Sequence, residues 1–291
     1  MFRKPSASRR VRRPATSARV LSNAPLVLVL LAATTGCNAL LGIGPTEASE
    51  DAGVAASAAD ALAATGAPVA GDGPWGCVGH VDLVETSSEP RDIHLSVVDL
   101  HSVVPNGLSI VACRPLTCDV PFAGPFGPDE DGTVRFSLPS DFVGYLIAES
   151  PTTLPAIIQI TRPVGKMPSF PPIVLLNPEL TAALALKAGA VLDPSRGIVL
   201  LQVQDCLDGP GPGISFVLQS PAAGAQVFYF ANRYPSATET ATDVVGGGGI
   251  VNVAPGFAGV EAIETATGRS IARFQVEVRA GWTTYAAVEP Q

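Results

Sequence analysis

Charged side chains are scarce in this sequence. They make up 15% of the 291 residues, well below the roughly one quarter found in ordinary soluble domains. Glycine and proline are abundant instead, at 29 and 27 residues, and they favour turns and short strands over long helices. So many helix breakers and so few charges exclude a helical bundle or coiled coil. Collagen is excluded because glycine does not recur at every third position.

Histidine is also scarce, and the usual catalytic motifs are missing. His80, His94 and His101 start neither H-x-x-E nor H-E-x-x-H. His94 and His101 are seven residues apart, which would place them on opposite faces of one continuous strand, so we expect no shared metal. Ser109 and Ser215 do not complete G-x-S-x-G. We therefore predict that the protein is not an enzyme and holds no metal or cofactor.

Acidic residues are absent before Glu47, whereas seven of the 18 basic residues lie in the first 19 positions. The apolar run 26–33 that follows is too short for a membrane span, which needs about 20 residues. A basic stretch, a short apolar core and small residues before a cut site are typical of a secretory signal.

The end of this segment, Thr35-Gly36-Cys37, resembles a bacterial lipobox, in which the cysteine is diacylated and becomes the mature N-terminus. Thr34 departs from the pattern, because an aliphatic residue is usual at its position. The resemblance implies that residues 1–36 are a lipoprotein signal peptide and that Cys37 is lipidated. Ordinary signal cleavage, with Cys37 left as a free thiol, is the alternative.

Removal of residues 1–36 leaves 11 basic and 26 acidic side chains, a net charge of about −15. Such a surface repels phosphate backbones, so we expect no nucleic-acid partner. Acyl chains rather than a basic patch would hold the protein to a membrane. We predict an exported protein that is lipid-anchored to the cell envelope, at the outer membrane or the cell surface.

Residues 37–74 are predicted to be a disordered tether. From Gly44 to Pro74 the chain has no aromatic residue and no apolar periodicity, so it cannot bury enough surface to offset its chain entropy. A weak helix over residues 54–64 is the alternative.

An internal repeat organises the rest of the chain into two units, 75–176 and 193–291. Asp99 precedes Gly107 by eight positions, and Asp205 precedes Gly213 by eight, an offset of 106 throughout. Each aspartate ends an alternating apolar run and each glycine opens another, which predicts strand, turn, strand. An acidic or glycine turn, a short strand, a proline turn and a further strand follow in both units. In the second unit we expect Gly246–Gly249 to form the hairpin turn.

These residues resemble the transthyretin-like sandwich of carboxypeptidase regulatory-like domains, a carbohydrate-binding-like module. The first pattern of that family is matched by residues 205–214, and its second by Thr242-Asp243, Ile250, Asn252-Val253 and Pro255-Gly256. The first unit departs more, because residues 101–104 replace the glycine turn. The catalytic zinc motif is missing, so the resemblance is to the accessory module alone. It implies an all-β fold with two antiparallel sandwiches of seven or eight strands each.

A short helix is predicted in the linker, residues 177–192. Asn177 suits the N-cap, Pro178 the first helical position and Gly189 the stop. The leucines that follow Pro178 are expected to pack where the units meet: Leu180, Leu184 and Leu186. An irregular linker is the alternative.

Apart from Cys37, the cysteines form an even set: Cys77, Cys113, Cys118 and Cys206. In an exported protein this predicts two disulfides, with three possible connectivities. Closure of a local loop favours Cys113 with Cys118, which would leave Cys77 to join the first unit to Cys206. A zinc site is the rival explanation for Cys113 and Cys118.

One aromatic cluster points to a ligand. A strand over residues 227–230 is followed by a turn at 231–235, and aromatic faces beside amide and guanidinium groups suit sugar rings. The candidate ligand-binding residues are Tyr229, Asn232, Arg233 and Tyr234. The alternative is that Phe228 and Phe230 pack in the core while Tyr229 covers an edge.

The sequence therefore predicts a non-enzymatic envelope lipoprotein with a binding or structural role. Its expected partners are the membrane, through the lipid anchor, and polysaccharide, peptidoglycan or an envelope protein. An accessory or regulatory subunit of an envelope hydrolase is the alternative function.

The acidic turn at Asp129–Asp131 is interpreted as turn chemistry rather than a calcium site, since the D-x-D-x-D-G spacing is absent. Trp75 is expected to pack at the base of the first unit.

Lipidation can be tested directly. Cys37→Ser removes the thiolate that would carry the acyl chains, so the variant should be released from the membrane fraction and should lose all palmitate labelling. Continued labelling of the variant would show that the lipobox assignment is wrong.

Overall fold

The computed structural model describes residues 73–81, 84–115, 118–167, 170–221 and 223–291, and these residues are almost all in strands and turns. The predicted signal peptide, Cys37 and the tether as far as residue 72 lie outside the described residues. One α-helix, α1 (Pro178–Lys187), and a short 3-10 helix at Val164–Lys166 are present in this part of the chain, and no described helix is long and apolar enough to cross a membrane. The strands are β1 (Pro90–Val98), β2 (Ser109–Cys113), β3 (Ala123–Phe126), β4 (Thr133–Pro139), β5 (Gly144–Glu149), β6 (Ala156–Ile160), β7 (Ile173–Val174), β8 (Gly197–Val203), β9 (Ile214–Leu218), β10 (Gln226–Ala231), β11 (Tyr234–Ser236), β12 (Gly247–Val253), β13 (Gly256–Glu264), β14 (Ser270–Val278) and β15 (Thr283–Val288).

The strands form three sheets, which confirms the all-β prediction. One sheet has nine strands in the order β11-β10-β12-β8-β15-β6-β5-β2-β3. The other two have three strands each, β4-β1-β7 and β14-β13-β9. Each small sheet packs over one half of the large sheet, so two sandwiches result.

The two sandwiches repeat one strand arrangement. In the first, β1 pairs antiparallel with β4 and parallel with β7; in the second, β8 pairs antiparallel with β12 and parallel with β15. The remaining pairs also correspond, because β2-β5-β6 matches β9-β13-β14. The repeat is thus confirmed in the fold. The structure differs in one respect, since neither sandwich is purely antiparallel: the last strand of each crosses to the other sheet and enters it parallel to the first.

The large sheet belongs to both sandwiches because β15 pairs with β8 on one side and with β6 on the other. On one face of this sheet, Ile158 contributes to the first core, under β4-β1-β7. On the other face, Leu201 and Ala286 contribute to the second core, under β14-β13-β9. The cores therefore lie on opposite faces of one sheet. The division into separate domains at residues 176 and 193 stays a prediction.

The turn after the first strand has the same geometry in both sandwiches. Asp99 accepts hydrogen bonds from the N–H groups two and four residues later, at 2.8 and 3.0 Å, and Asp205 does the same at 2.8 and 2.9 Å. Ser102 and Asp208, 106 positions apart, both have a φ near 60°. The aspartates were thus correctly interpreted as turn residues, because a short carboxylate satisfies successive backbone donors.

The linker helix begins and ends as predicted. Asn177 Oδ1 accepts a hydrogen bond from the Leu180 N–H at 2.8 Å, and Gly189 follows the helix with a φ of 79°. Leu184 is buried with residues of β7, β8, β10 and β12. Leu186 is 68% exposed, so its predicted packing is wrong.

Of the predicted hairpin turn Gly246–Gly249, only Gly246 lies in a turn, where its N–H donates to the Asp243 carbonyl at 2.9 Å; for Gly247–Gly249 the prediction is wrong. They begin β12, which is buried along its whole length between β10 and β8. A Cβ on Gly249 would collide with the Val199 carbonyl oxygen and lie 2.8 Å from Cζ of Phe228, and one on Gly248 would lie 2.8 Å from the Phe228 carbonyl oxygen and 2.9 Å from Cε2 of Phe216. Glycine is needed at these two positions because carbonyl oxygens of the neighbouring strands and aromatic rings both lie directly against the strand backbone.

Both predicted disulfides are confirmed: Cys77–Cys206 and Cys113–Cys118, with Cα–Cα distances of 5.7 and 5.2 Å. Trp75 is placed differently from the prediction. Its side chain is 4% exposed and belongs to the core of the second sandwich, not the first.

Gly249→Ala should destabilise the protein by about 1–3 kcal/mol, because the added methyl group overpacks β12 against the Val199 carbonyl and the Phe228 ring. Gly127→Ala is the matched control, since a Cβ there meets no atom within 4 Å. Urea unfolding of both variants is the measurement. Equal midpoints would show that the aromatic packing does not require glycine.

Candidate binding surface

A two-residue turn carries three of the four predicted ligand-binding residues to one end of the large sheet. Asn232 and Arg233 connect β10 to β11 with φ values of 51° and 73°, and Ala231 pairs with Tyr234. Two successive residues of positive φ are the geometry of a tight hairpin turn whose twist matches the strands. The turn is held in place because Asp243 accepts a hydrogen bond from the Asn232 N–H at 3.1 Å. We call residues 231–234 the edge hairpin.

The edge hairpin offers a mixed surface to solvent. Asn232 is exposed, Arg233 is half-buried, and the Tyr234 side chain is 50% exposed. An aromatic face, an amide and a guanidinium group lie within three successive residues. This set can stack on an apolar sugar face and hydrogen-bond to hydroxyl groups.

Tyr229 does not belong to this surface, and the structure corrects its assignment as a ligand-binding residue. Its ring is 4% exposed and stacks on Phe216 in the second core, with ring centroids 5.4 Å apart. Burial raises the pKa of its hydroxyl. The alternative was right that Phe228 and Phe230 are buried, but wrong that Tyr229 covers an edge.

The Tyr229 hydroxyl has a structural task instead. It accepts a hydrogen bond from the Phe216 N–H at 2.8 Å, so it reaches from the large sheet to the outer edge of β9. The Thr242 hydroxyl accepts a second hydrogen bond there, from the Ile214 N–H at 2.9 Å. Together they satisfy edge donors of β9 that an added strand would otherwise use.

Proline occupies both outer strands of the large sheet. Pro125 lies in β3 and Pro235 in β11. Proline has no N–H to donate, so it blocks continuous pairing with an added strand. A partner at either end of this sheet would therefore have to contact side chains and turns rather than extend the ladder.

A serine, a carboxylate and a histidine lie near one another on β1 and β4, but they are not arranged as in a catalytic triad. On the outer face of β1 and β4, the Ser137 hydroxyl donates to Asp92 Oδ1 at 2.6 Å. A catalytic serine would donate to an imidazole, which the carboxylate would orient. His94 instead lies opposite Arg135 in the strand register. His101 lies in the turn beyond β1, so the two histidines do not share a strand.

The acidic turn is organised by an arginine. Asp129 and Asp131 both form ion pairs with Arg135. The Arg135 guanidinium, with the Thr133 N–H as a second donor, lowers the pKa of Asp131 to about 2. The turn interpretation agrees with the backbone, because the Gly132 N–H donates to the Asp129 carbonyl at 2.9 Å. Across the described ranges, no group of three His, Cys, Asp or Glu side chains could hold a metal.

Two polar contacts between the sandwiches were not found from sequence. Arg162, after β6, lies 2.9 Å from the Glu289 carboxylate after β15. Arg279 donates to the Tyr145 hydroxyl at 3.4 Å, and its guanidinium lies 4.8 Å from the Trp282 ring centre. Burial raises the pKa of Glu289. No sequence signal could have paired Arg162 with Glu289 or Tyr145 with Arg279, because the residues of each of these two pairs are more than 120 positions apart.

A second exposed aromatic surface lies on the first sandwich. The Phe122 ring is 38% exposed, packs against Phe142 with centroids 5.2 Å apart, and is covered by the Arg114 guanidinium at 4.7 Å. Val120, two residues earlier, is 82% exposed. We call these residues the Phe122 surface. It is mainly apolar and lacks the amide and hydroxyl groups of the edge hairpin.

No protein-family model matches the chain, and no curated protein matches it. Solved structures to which it is similar include a streptococcal ancillary pilin (13% identity, 70% of this chain and 69% of that one, TM-score 0.25). The Bacillus anthracis TIE protein is similar at 13% identity over 69% of this chain, with a TM-score of 0.22, and the likeness spans 34% of the TIE chain. The shaft pilin spaA of Lactobacillus rhamnosus GG is similar at 10% identity over 70% of this chain and 98% of its own, with a TM-score of 0.23. Scores this low carry no argument about function.

Tyr229→Phe should destabilise the protein by about 1–3 kcal/mol, because the buried Phe216 N–H loses its acceptor. Tyr234→Phe is the matched control and should be close to neutral, since its ring is half exposed. Denaturant unfolding midpoints distinguish the two. Equal effects would contradict the structural role of the Tyr229 hydroxyl.

Proposed function

We propose that this protein is a non-enzymatic lipoprotein of the cell envelope that binds a surface polysaccharide or peptidoglycan through the edge hairpin. The observation that carries the proposal is the grouping of an exposed tyrosine, an amide and a guanidinium on one rigid turn. Asn232, Arg233 and Tyr234 are the proposed contact residues. Lipidation at Cys37 would hold the protein to the membrane.

The disulfides support an exported location. Two cross-links that involve all four described cysteines are typical of a protein from an oxidising compartment. Cys113 is fully buried, so its pairing with Cys118 belongs to the folded structure rather than to an exposed redox centre. This agrees with the basic and apolar sequence pattern that precedes Cys37.

The charge distribution supports a neutral glycan over a polyanion. Most basic side chains of the described residues are already paired with carboxylates: Arg135, Arg162, Arg196, Arg269, Arg273 and Arg279. The described ranges therefore offer few cations for a phosphate-rich ligand. Hydrogen bonds and ring stacking at the edge hairpin require no excess positive charge.

Co-sedimentation tests the proposal. The chain from residue 37, made soluble by Cys37→Ser, is mixed with purified peptidoglycan and with a panel of insoluble neutral polysaccharides. We expect saturable retention on one of them that a soluble fragment of the same glycan competes away. Tyr234→Ala should weaken retention about tenfold, the equivalent of about 1.4 kcal/mol.

Phe257→Ala is the control for nonspecific adhesion. Phe257 is 55% exposed, close to the 50% of Tyr234, and lies on β13, away from the edge hairpin. It should leave retention unchanged. An equal loss of retention for both variants would indicate nonspecific adhesion of exposed aromatic rings. Unchanged retention of Tyr234→Ala would show that the edge hairpin is not the binding site.

A protein partner is the second candidate, and the Phe122 surface favours it. Val120 and Phe122 present apolar area with an arginine at its side, a composition typical of protein contacts. An accessory role beside an envelope hydrolase would use this surface. In that case Phe122→Ala should abolish crosslinking to a protein partner on the cell, while Tyr234→Ala should not.

A further inference from the structure

The start of the described chain is fastened to the second sandwich, although the first sandwich follows it in sequence. Trp75 is buried in the second core, and Cys77 is bonded to Cys206 in the turn after β8. Backbone hydrogen bonds add to this attachment. The Cys206 N–H donates to the Pro74 carbonyl at 2.9 Å, and the Gly79 N–H donates to the Gln291 carbonyl at 2.8 Å.

The second sandwich is shaped to receive the Trp75 indole. A Cβ on Gly211 would lie 3.1 Å from Cζ2 of Trp75 and 2.6 Å from Cγ1 of Val203. Only glycine leaves room for the ring at that position. The indole therefore occupies a socket built from the turn and strand on either side of Cys206.

The Cys77–Cys206 bond closes a covalent loop around the first sandwich. Its ends are 129 positions apart, and β1 to β7, α1 and β8 all lie between them. A pull on the chain before Gly73 reaches Cys77 and then passes through the sulfur atoms to Cys206. The backbone between the two cysteines does not carry this tension.

We propose that this bond provides a mechanical bypass of the first sandwich. Tension from the membrane tether passes through the disulfide into the second sandwich directly, and the first sandwich stays folded. The biological relevance of the tension rests on the proposed anchoring at Cys37. The bypass itself is a property of the folded chain and can be tested without a membrane.

The hydrophobic core of the first sandwich is expected to keep it folded when the second sandwich is extended. Its own strands supply Leu95, Ile110, Leu138 and Leu146, which are fully buried in one cluster, and β15 adds only the partly buried Tyr285 to that cluster. Its links to the second sandwich are few, and they include the four-residue parallel pairing of β6 with β15, the Arg162–Glu289 ion pair, and the hydrogen bonds from Tyr285 to the Val174 carbonyl and from Arg279 to the Tyr145 hydroxyl. Loss of β15 would expose the side of β6 but would leave both sheets of the first sandwich covered by each other.

Single-molecule stretching tests the bypass. The chain from residue 37, carrying Cys37→Ser and a handle at each end, is held at constant force under oxidising conditions. Unfolding of residues 206–291 should lengthen it by about 280–310 Å, at roughly 3.3–3.6 Å per residue. The first sandwich should contribute nothing to the length at this stage.

A reductant is then added while the force is held, which avoids any variant that could fail to fold. If the first sandwich is still folded, cleavage of Cys77–Cys206 gives a short step, and a separate unfolding step follows later. The two steps together should reach about 430–460 Å for the 129-residue separation. One immediate step of that full length would show that the first sandwich had already unfolded, and would overturn the proposal.

Cys113→Ser with Cys118→Ser is the matched control. It removes the other disulfide, whose ends are only five positions apart, and it should leave the first stage of extension unchanged. A chain that shows no lengthening at all on reduction would also overturn the proposal, because the bypass bond would then be absent. Failure of membrane anchoring would appear separately, in the palmitate labelling of the unstretched protein.

Discussion

The pairing of β15 with both β8 and β6 is the constraint on which the rest of the structure depends. Without it, each sandwich would end at an open strand edge. Because β15 lies in the middle of nine strands, its two faces serve different cores: Ala286 packs in the second core, and Tyr285 contacts the first. The Tyr285 hydroxyl donates to the Val174 carbonyl and so also ties β15 to β7. A strand buried on both faces in this way gives the two sandwiches one common wall.

Closure of strand edges limits how this protein can meet a partner. Proline interrupts both outer strands of the large sheet, and Thr242 and Tyr229 satisfy donors along β9. Recognition by strand addition is disfavoured where these donors are already used. The surfaces that remain are turns and exposed aromatic side chains, and their positions are fixed by the sheet beneath them. This favours binding through a few rigid contacts over the wrapping of an extended peptide.

Sequence reasoning succeeded where the determining interactions are local and mostly failed where they are distant; the Cys77–Cys206 bond, 129 positions apart, was predicted only because the local Cys113–Cys118 pair left those two cysteines over. The turns at Asp99 and Asp205, the cap at Asn177 and the Cys113–Cys118 pair each involve residues within a few positions of one another, so their spacing predicted them. The placements of Trp75 and Tyr229 depend on sheets that meet far along the chain. Gly248 and Gly249 were wrongly predicted to lie in a turn for the same reason, because the carbonyl oxygens and rings that require glycine there come from other strands. The pairing of β6 with β15 left no local signal at all.

The register of the large sheet places the edge hairpin and the chain entry at the same end. Gly247 pairs with Gln202 near the end of β8, and Gly248 pairs with Tyr229 just before the hairpin. Cys206 follows β8 at that end, where Cys77 is bonded to it. A glycan held by Tyr234 would therefore pull against the tether through the second sandwich alone. The shortest mechanical path from such a ligand to the proposed anchor at Cys37 would then avoid the first sandwich, so the Phe122 surface would keep its shape while the second sandwich is under load.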